Sequence, residues 1–152
     1  MIKFTVDEVL AHDAPMILID ELLSYSNTSA TCKVLITPEK LFYDATVDGI
    51  PSYVGTEYMA QTIAAYAGAK AKVKNRQQAI KVGFLLGSRK YAPSISTFKN
   101  GSELIVTAEE IIVEDSGLSV FSCVIKIDNE IIVEANINVF QPENPKTFID
   151  KQ

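Results

Sequence analysis

"GIPSYVGTEYMAQTIAAYAGAKAKVK", residues 49–74, decides how the rest of the chain must fold. No proline interrupts it after Pro51, alanine recurs, and Tyr53, Glu57, Gln61 and Ala64 fall at helical spacing on one stripe. Ser52 to about Lys74 therefore reads as a helix. Nearly all of its first five turns are apolar or small, the pattern of a helix enclosed by other structure. One acid, Glu57, stands near its start, facing the same way as Tyr53 and Gln61. Burying a carboxylate without partners costs several kcal/mol, roughly, so such a group finds a partner, takes up a proton or does chemistry. A hydrogen-bonded core contact and an acid–base role are both open on spacing alone.

Working outward, Thr5 to Ala11 reads as a short helix capped by Thr5, with Asp7 and Glu8 in its first turn. Met16 to Tyr25 and Thr31 to Thr37 are strand-like, joined by a turn at Ser26 to Ser29, and Pro38 to Pro51 reads as a long irregular loop. Beyond the helix, strands are expected at Lys81–Tyr91, Leu104–Glu114, Leu118–Ile127 and Ile131–Phe140, with "EDSG" and "DNE" as turns. Consecutive, tightly linked strands give an antiparallel meander rather than a parallel sheet. The expected class is α+β: one long central helix wrapped by a curved antiparallel sheet of about five to six strands. Residues 1–152 fit one domain, with a polar tail from about 143.

Composition narrows the function. The chain is 47% hydrophobic and 22% charged, with no apolar run near the ~20 residues of a membrane span. The N-terminus lacks the pattern of a signal peptide, so no membrane association and a cytoplasmic location are expected. Cys32 and Cys123 lie far apart within apolar runs and read as reduced core thiols; no metal site is expected. Net charge is −5, yet Lys70, Lys72, Lys74, Arg76, Lys81, Arg89, Lys90 and Lys99 occupy a block with no acid between Tyr58 and Ser102. A solvated helix end and a docking surface for an acidic partner both fit that block. Nucleic acid is not expected, since the protein is acidic overall and no binding motif is present.

The sole histidine, His12, gains meaning only beside the acid, because an imidazole and a protonated carboxyl form a base and an acid usable near neutral pH. The run "PSYVGTEYMAQT" resembles the central helix of the hot-dog-fold 3-hydroxyacyl-[acyl carrier protein] dehydratases. There, Pro-Gly opens the helix, the catalytic acid stands five residues after that glycine, and Met-Ala-Gln follows. Pro51, Ser52, Glu57, Met59, Ala60 and Gln61 match, with Ser52 in the glycine position. "AHDAPMILIDEL" is similar to the Leu-Pro-His-x-x-Pro-x-Leu-Leu-x-Asp segment of those enzymes through His12, Pro15, Leu18 and Asp20, and "FKNGSEL" to their Pro-Gly-Asp-x-Leu turn. The family carries its usual catalytic His about fourteen residues before the acid, where this chain has Tyr43 and Asp44. The chain looks most like the dehydratase-like subunits associated with aryl polyene synthesis, through its "HxxPM" segment, "EYMAQT" helix and "LLGSRK" strand.

The resemblance implies dehydration of 3-hydroxyacyl thioesters to trans-2-enoyl thioesters in fatty acid or aryl polyene biosynthesis. The substrate would ride on the 4′-phosphopantetheine of an acyl carrier protein, with no other cofactor. Glu57 would be the acid at the inner end of an acyl tunnel and His12 the base. Backbone N–H groups near Ser52 and Tyr53 would face the thioester carbonyl, with Gln61, Gly83 and Gly87 along the acyl-pantetheine arm. Arg89 and Lys90, with Lys70, Lys72, Lys74 and Arg76, would form a basic rim for the carrier. The family's site lies at a dimer interface, so a homodimer, or a heterodimer with a related subunit, is implied. A non-catalytic partner subunit and a hot-dog thioesterase are the alternatives.

Overall fold

The computed structural model describes residues 3–10, 16–73 and 91–140 in full, and Lys74 and residues 84–89 as backbone. The elements are α1 (Val6–Val9), β1 (Glu21–Tyr25), β2 (Ser29–Leu35), β3 (Gly49–Pro51), a 3-10 turn (Ser52–Val54), α2 (Gly55–Lys74), β4 (Phe84–Arg89), β5 (Thr97–Lys99), β6 (Glu103–Val113), β7 (Leu118–Ile127) and β8 (Glu130–Phe140). Six strands form one antiparallel sheet in the order β1-β2-β6-β7-β8-β4, and β3 pairs with β5 in a separate two-stranded ribbon. Helix α2 packs on the large sheet, chiefly on β6 and β2.

Alternation fixes which face of the sheet meets the helix. Cys32 and Val34 of β2, Leu104, Val106 and Ala108 of β6, Cys123 and Ile125 of β7, and Val133, Ala135 and Ile137 of β8 are buried, with half-buried or exposed residues between them. The β7–β8 turn uses Asp128 and Asn129, both at positive φ (51° and 66°), as a two-residue hairpin whose twist matches its strands. Asp20 closes the end of β2: its carboxylate accepts the Leu35 N–H at 2.7 Å and pairs with Lys40. Burial pushes the thiols of Cys32 and Cys123 up to about 12, so near neutral pH they are core groups and not nucleophiles.

Two features depart from the expected layout. The three-residue strand β3 falls at the end of the expected irregular loop and β5 in a stretch for which no element is expected, because three residues are too few to show a two-residue period. Their register places Ile50 opposite Phe98, both fully buried beside the helix start. The second departure is at the helix N-terminus of the chain, where α1 spans only four residues and lies across α2. Its first turn is closed by the Glu8 carboxylate, which accepts the Thr5 N–H at 3.0 Å.

The crossing of the two helices needs Gly68. A Cβ there would overlap the Val9 carbonyl oxygen and come within 3.0 Å of its Cα. Glycine to alanine inside a helix ordinarily stabilises by up to about 1 kcal/mol. At Gly68 the sign should reverse, with a loss of about 1–3 kcal/mol from overpacking. The melting temperature of Gly68→Ala should therefore fall by roughly 3–10 °C; an unchanged or higher value would mean that α1 does not rest on α2 at this point.

Candidate functional site

Helix α2 is not enclosed on all sides. Val54, Tyr58, Met59, Gln61, Thr62, Ile63, Ala65, Tyr66 and Ala69 are buried, whereas Tyr53 is 68% exposed and Glu57 stands exposed one turn later. Ala60, Ala64, Ala67 and Ala71 continue that half-open face. The expectation of a buried Glu57 is thus corrected for the single chain. The reason is compositional: alanine counts as apolar wherever it lies, so a helix with an alanine-lined open face reads as apolar all round. Among the described residues, no hydrogen bond or ion pair reaches the Glu57 carboxylate.

Gln61 does not share the exposure of Glu57. Four residues at 3.6 per turn advance about 40° past a full circle, enough to carry Gln61 under the segment that precedes β1. It is 1% exposed, its Oε1 accepting the Leu18 N–H at 2.8 Å and its Nε2 donating to the Met16 carbonyl at 2.7 Å. The amide expected along the acyl arm is therefore engaged as a clamp on residues 16–18, much as a neighbouring strand would be.

The helix start is equally occupied. The Ser52 N–H, expected to face a thioester carbonyl, donates to the Ser96 carbonyl at 2.9 Å, and Ser52 is buried. Its own carbonyl accepts from the Tyr91 hydroxyl and from the Gly55 N–H. Ser52 is accordingly a junction between the helix and the β5 segment, which corrects its assignment as a free oxyanion donor. Nothing in the sequence singled out Tyr91.

The neighbourhood of Tyr43 and Asp44 is a self-bonded loop. The Tyr43 hydroxyl donates to the Asp48 carboxylate, which also accepts Asn100 Nδ2 at 3.2 Å, and the hydrogen bond to Asp48 raises the Tyr43 pKa. Asp44 accepts the Thr46 N–H at 2.9 Å and hydroxyl at 2.6 Å, which hold its carboxyl below its ordinary value. Beside this loop a cavity of about 440 Å³ is lined by Ile17, Leu18, Glu39, Lys40, Leu41, Phe42 and Tyr58. Glu57 does not line it, since Tyr58 leaves the helix in another direction.

The basic block divides. Lys70 turns back on the protein: its Nζ donates to the Tyr66 hydroxyl at 3.1 Å and stands 3.9 Å from the Glu110 carboxylate. Lys72 lies near enough to Glu8 to lower that carboxyl's pKa slightly, behind the larger effect of the Thr5 hydrogen bonds. Arg89 ends β4, its backbone paired with Asn136 of β8. Gly87 follows a slip in that pairing between Leu85 and Gly87. His12, Arg76, Gly83 and Lys90, and the side chains of Lys74 and Arg89, lie outside the described residues. Among those described, no group of three or more His, Cys, Asp or Glu side chains converges on a common point, and no helix is long and apolar enough to cross a membrane.

This geometry has known counterparts. The sequence profile of the ApeP-like family, described as ApeP dehydratase, matches residues 4–150. A chain of the dehydratase heterocomplex ApeI:P from Xenorhabdus doucetiae superposes with a TM-score of 0.87 at 26% identity, over 98% of this chain and 97% of that one. A hypothetical thioesterase with coenzyme A from Streptococcus pneumoniae gives 0.62 at 10% identity, over 80% and 84% of the two chains. The protein smu.793 from Streptococcus mutans, bound to acetyl CoA, gives 0.65 at 9% identity, over 87% and 94%. These two share the hot-dog fold with this chain and no more. No functionally curated protein matches the sequence.

Proposed function

Because the chain belongs to the ApeP-like dehydratase family, we propose that it takes part in dehydrating a 3-hydroxyacyl thioester, carried by an acyl carrier protein, to the trans-2-enoyl thioester. The observation that carries this reading is Glu57, exposed without a partner among the described residues on the first turns of α2 in a chain of dehydratase family. In the reaction a base removes a proton from carbon 2, the C3–O bond breaks, and an acid protonates the departing hydroxyl so that water leaves and the C2=C3 bond forms. Glu57 is the proposed acid and His12 the proposed base. The basic residues from Lys70 to Lys90 are the proposed landing for the acidic carrier, with Arg89 and Lys90 foremost; Lys70, tied to Tyr66 and Glu110, contributes least.

The exposure of Glu57 favours a second form of the same reading. In the single chain nothing described covers the Glu57 carboxylate. A related hot-dog subunit laid over the Tyr53–Glu57 face would exclude water and bring a base from its own chain, leaving this chain to supply the acid. The ApeI:P structure is itself a heterocomplex, which supports this form.

Product analysis separates the forms. The purified chain, alone and then mixed with a related hot-dog dehydratase subunit, is incubated with a 3-hydroxyacyl-carrier protein. Enoyl thioester from the chain alone supports His12 as base, and enoyl thioester from the mixture alone supports the composite site. Release of free acid would replace both with a thioesterase, and no product in either case would overturn the proposal.

A further inference from the structure

Tyr91 follows the edge strand β4, and its hydroxyl lies where α2 begins. The phenolic O–H donates to the Ser52 carbonyl. Burial pushes its pKa up to about 12, an effect held back by hydrogen bonds with the Thr56 side chain and the Gly55 backbone. The hydroxyl thus meets the chain at the 3-10 turn that runs straight into α2 and Glu57.

The sequence makes room for that oxygen. A Cβ on Gly55 would overlap the Tyr91 hydroxyl, whereas its next contacts, Ile125 Cδ1 at 3.0 Å and Phe98 Cζ at 3.2 Å, are side-chain ends. Glycine in a helix is disfavoured relative to alanine by about 1 kcal/mol, so the missing Cβ is explained by the hydroxyl. The Ser52 peptide is held from both sides, its N–H by the Ser96 carbonyl and its C=O by Tyr91. A phenylalanine would keep the ring packed against the core and lose the hydroxyl that reaches the Ser52 carbonyl.

We propose that Tyr91 is a positioning residue for Glu57: its hydroxyl ties the end of edge strand β4 to the first turn of α2, and so sets the direction in which Glu57 leaves that turn. The kinetic consequence rests on the dehydratase reading; the contact does not.

Three variants test it: Tyr91→Phe, Gly55→Ala and the double variant. Gly55→Ala should lower the melting temperature clearly in the wild-type background and far less in Tyr91→Phe, where the overlapping atom is gone. In the dehydration assay, run with whichever chain or mixture is active, Tyr91→Phe should lower kcat about tenfold or more with KM unchanged, the mark of a misplaced reacting group. The double variant should approach the stability of Tyr91→Phe and keep its low rate. Additive melting temperatures, or a wild-type rate in Tyr91→Phe or the double variant, would overturn the proposal. If the wild type is inert in every mixture, the dehydratase reading fails, and amide hydrogen exchange decides about Tyr91. Its loss should then speed exchange at Gly55, Thr56 and Glu57 at least tenfold relative to Ile63 and Tyr66, and unchanged ratios would refute the tie.

Discussion

Glu57→Gln is expected to abolish enoyl thioester formation while leaving the fold as it is. An amide keeps the size and the hydrogen-bonding oxygen of the carboxyl but has no acidic proton to deliver, and general acid catalysis contributes about 10²- to 10⁴-fold. The stability side follows from exposure. Glu57 makes no described hydrogen bond or ion pair, and exposed substitutions of that kind stay within about 0.5 kcal/mol, roughly 2 °C in melting temperature for a chain of this length. A large rate loss with an unchanged melt is therefore the expected result, read from turnover and calorimetry on one sample. Activity within threefold of wild type would take Glu57 out of the mechanism. A melt lowered by 5 °C or more would mean that the carboxylate has a structural partner. Glu57→Asp adds a second reading: it restores an acid on a shorter stem, so partial recovery identifies proton delivery rather than bulk.

The meander β6–β7–β8 was legible because each strand is long enough to alternate and each turn carries residues that accept positive φ, as at Asp128–Asn129. Helix α2 was legible for its length and alanine content, and the acid within it for standing alone. What one sequence does not carry is the direction in which a small residue faces. With alanine at 60, 64, 67 and 71, the open and buried sides of α2 differ in surroundings more than in residue type, so Glu57 read as interior. The contacts of Ser52 and Tyr91 were hidden for another reason: their partners are backbone groups far along the chain, and such contacts leave no periodic trace. A Gly-for-Cβ complementarity such as Gly55 with Tyr91 is visible only once the strand end and the helix start are brought together.

Gln61, a motif residue, is engaged inside the chain. Its two polar atoms satisfy the Leu18 N–H and the Met16 carbonyl, neither of which has a strand neighbour beyond β1 among the described residues to take its place. Gln61→Leu keeps much of the volume and removes both bonds, leaving the buried Leu18 N–H unpaired at about 1–3 kcal/mol, while the Met16 carbonyl belongs to an exposed residue that water can reach. A loss of about 2 kcal/mol is expected, which lowers the melting temperature by roughly 4–8 °C. Gln61→Glu separates the bonds from the bulk through pH. A protonated carboxyl there would accept from Leu18 and donate to Met16 as the amide does, while the ionised form could donate nothing and would be buried. Its folded-state pKa should therefore lie above the unfolded value of about 4.3. The stability it contributes is present below that value and lost as pH rises through the folded pKa. The deficit of Gln61→Glu relative to wild type should thus shrink between about pH 7 and pH 4, opposite to the usual behaviour of a paired carboxylate. A deficit independent of pH, or a Gln61→Leu variant melting within 2 °C of wild type, would show that Met16 and Leu18 are held by something other than this side chain.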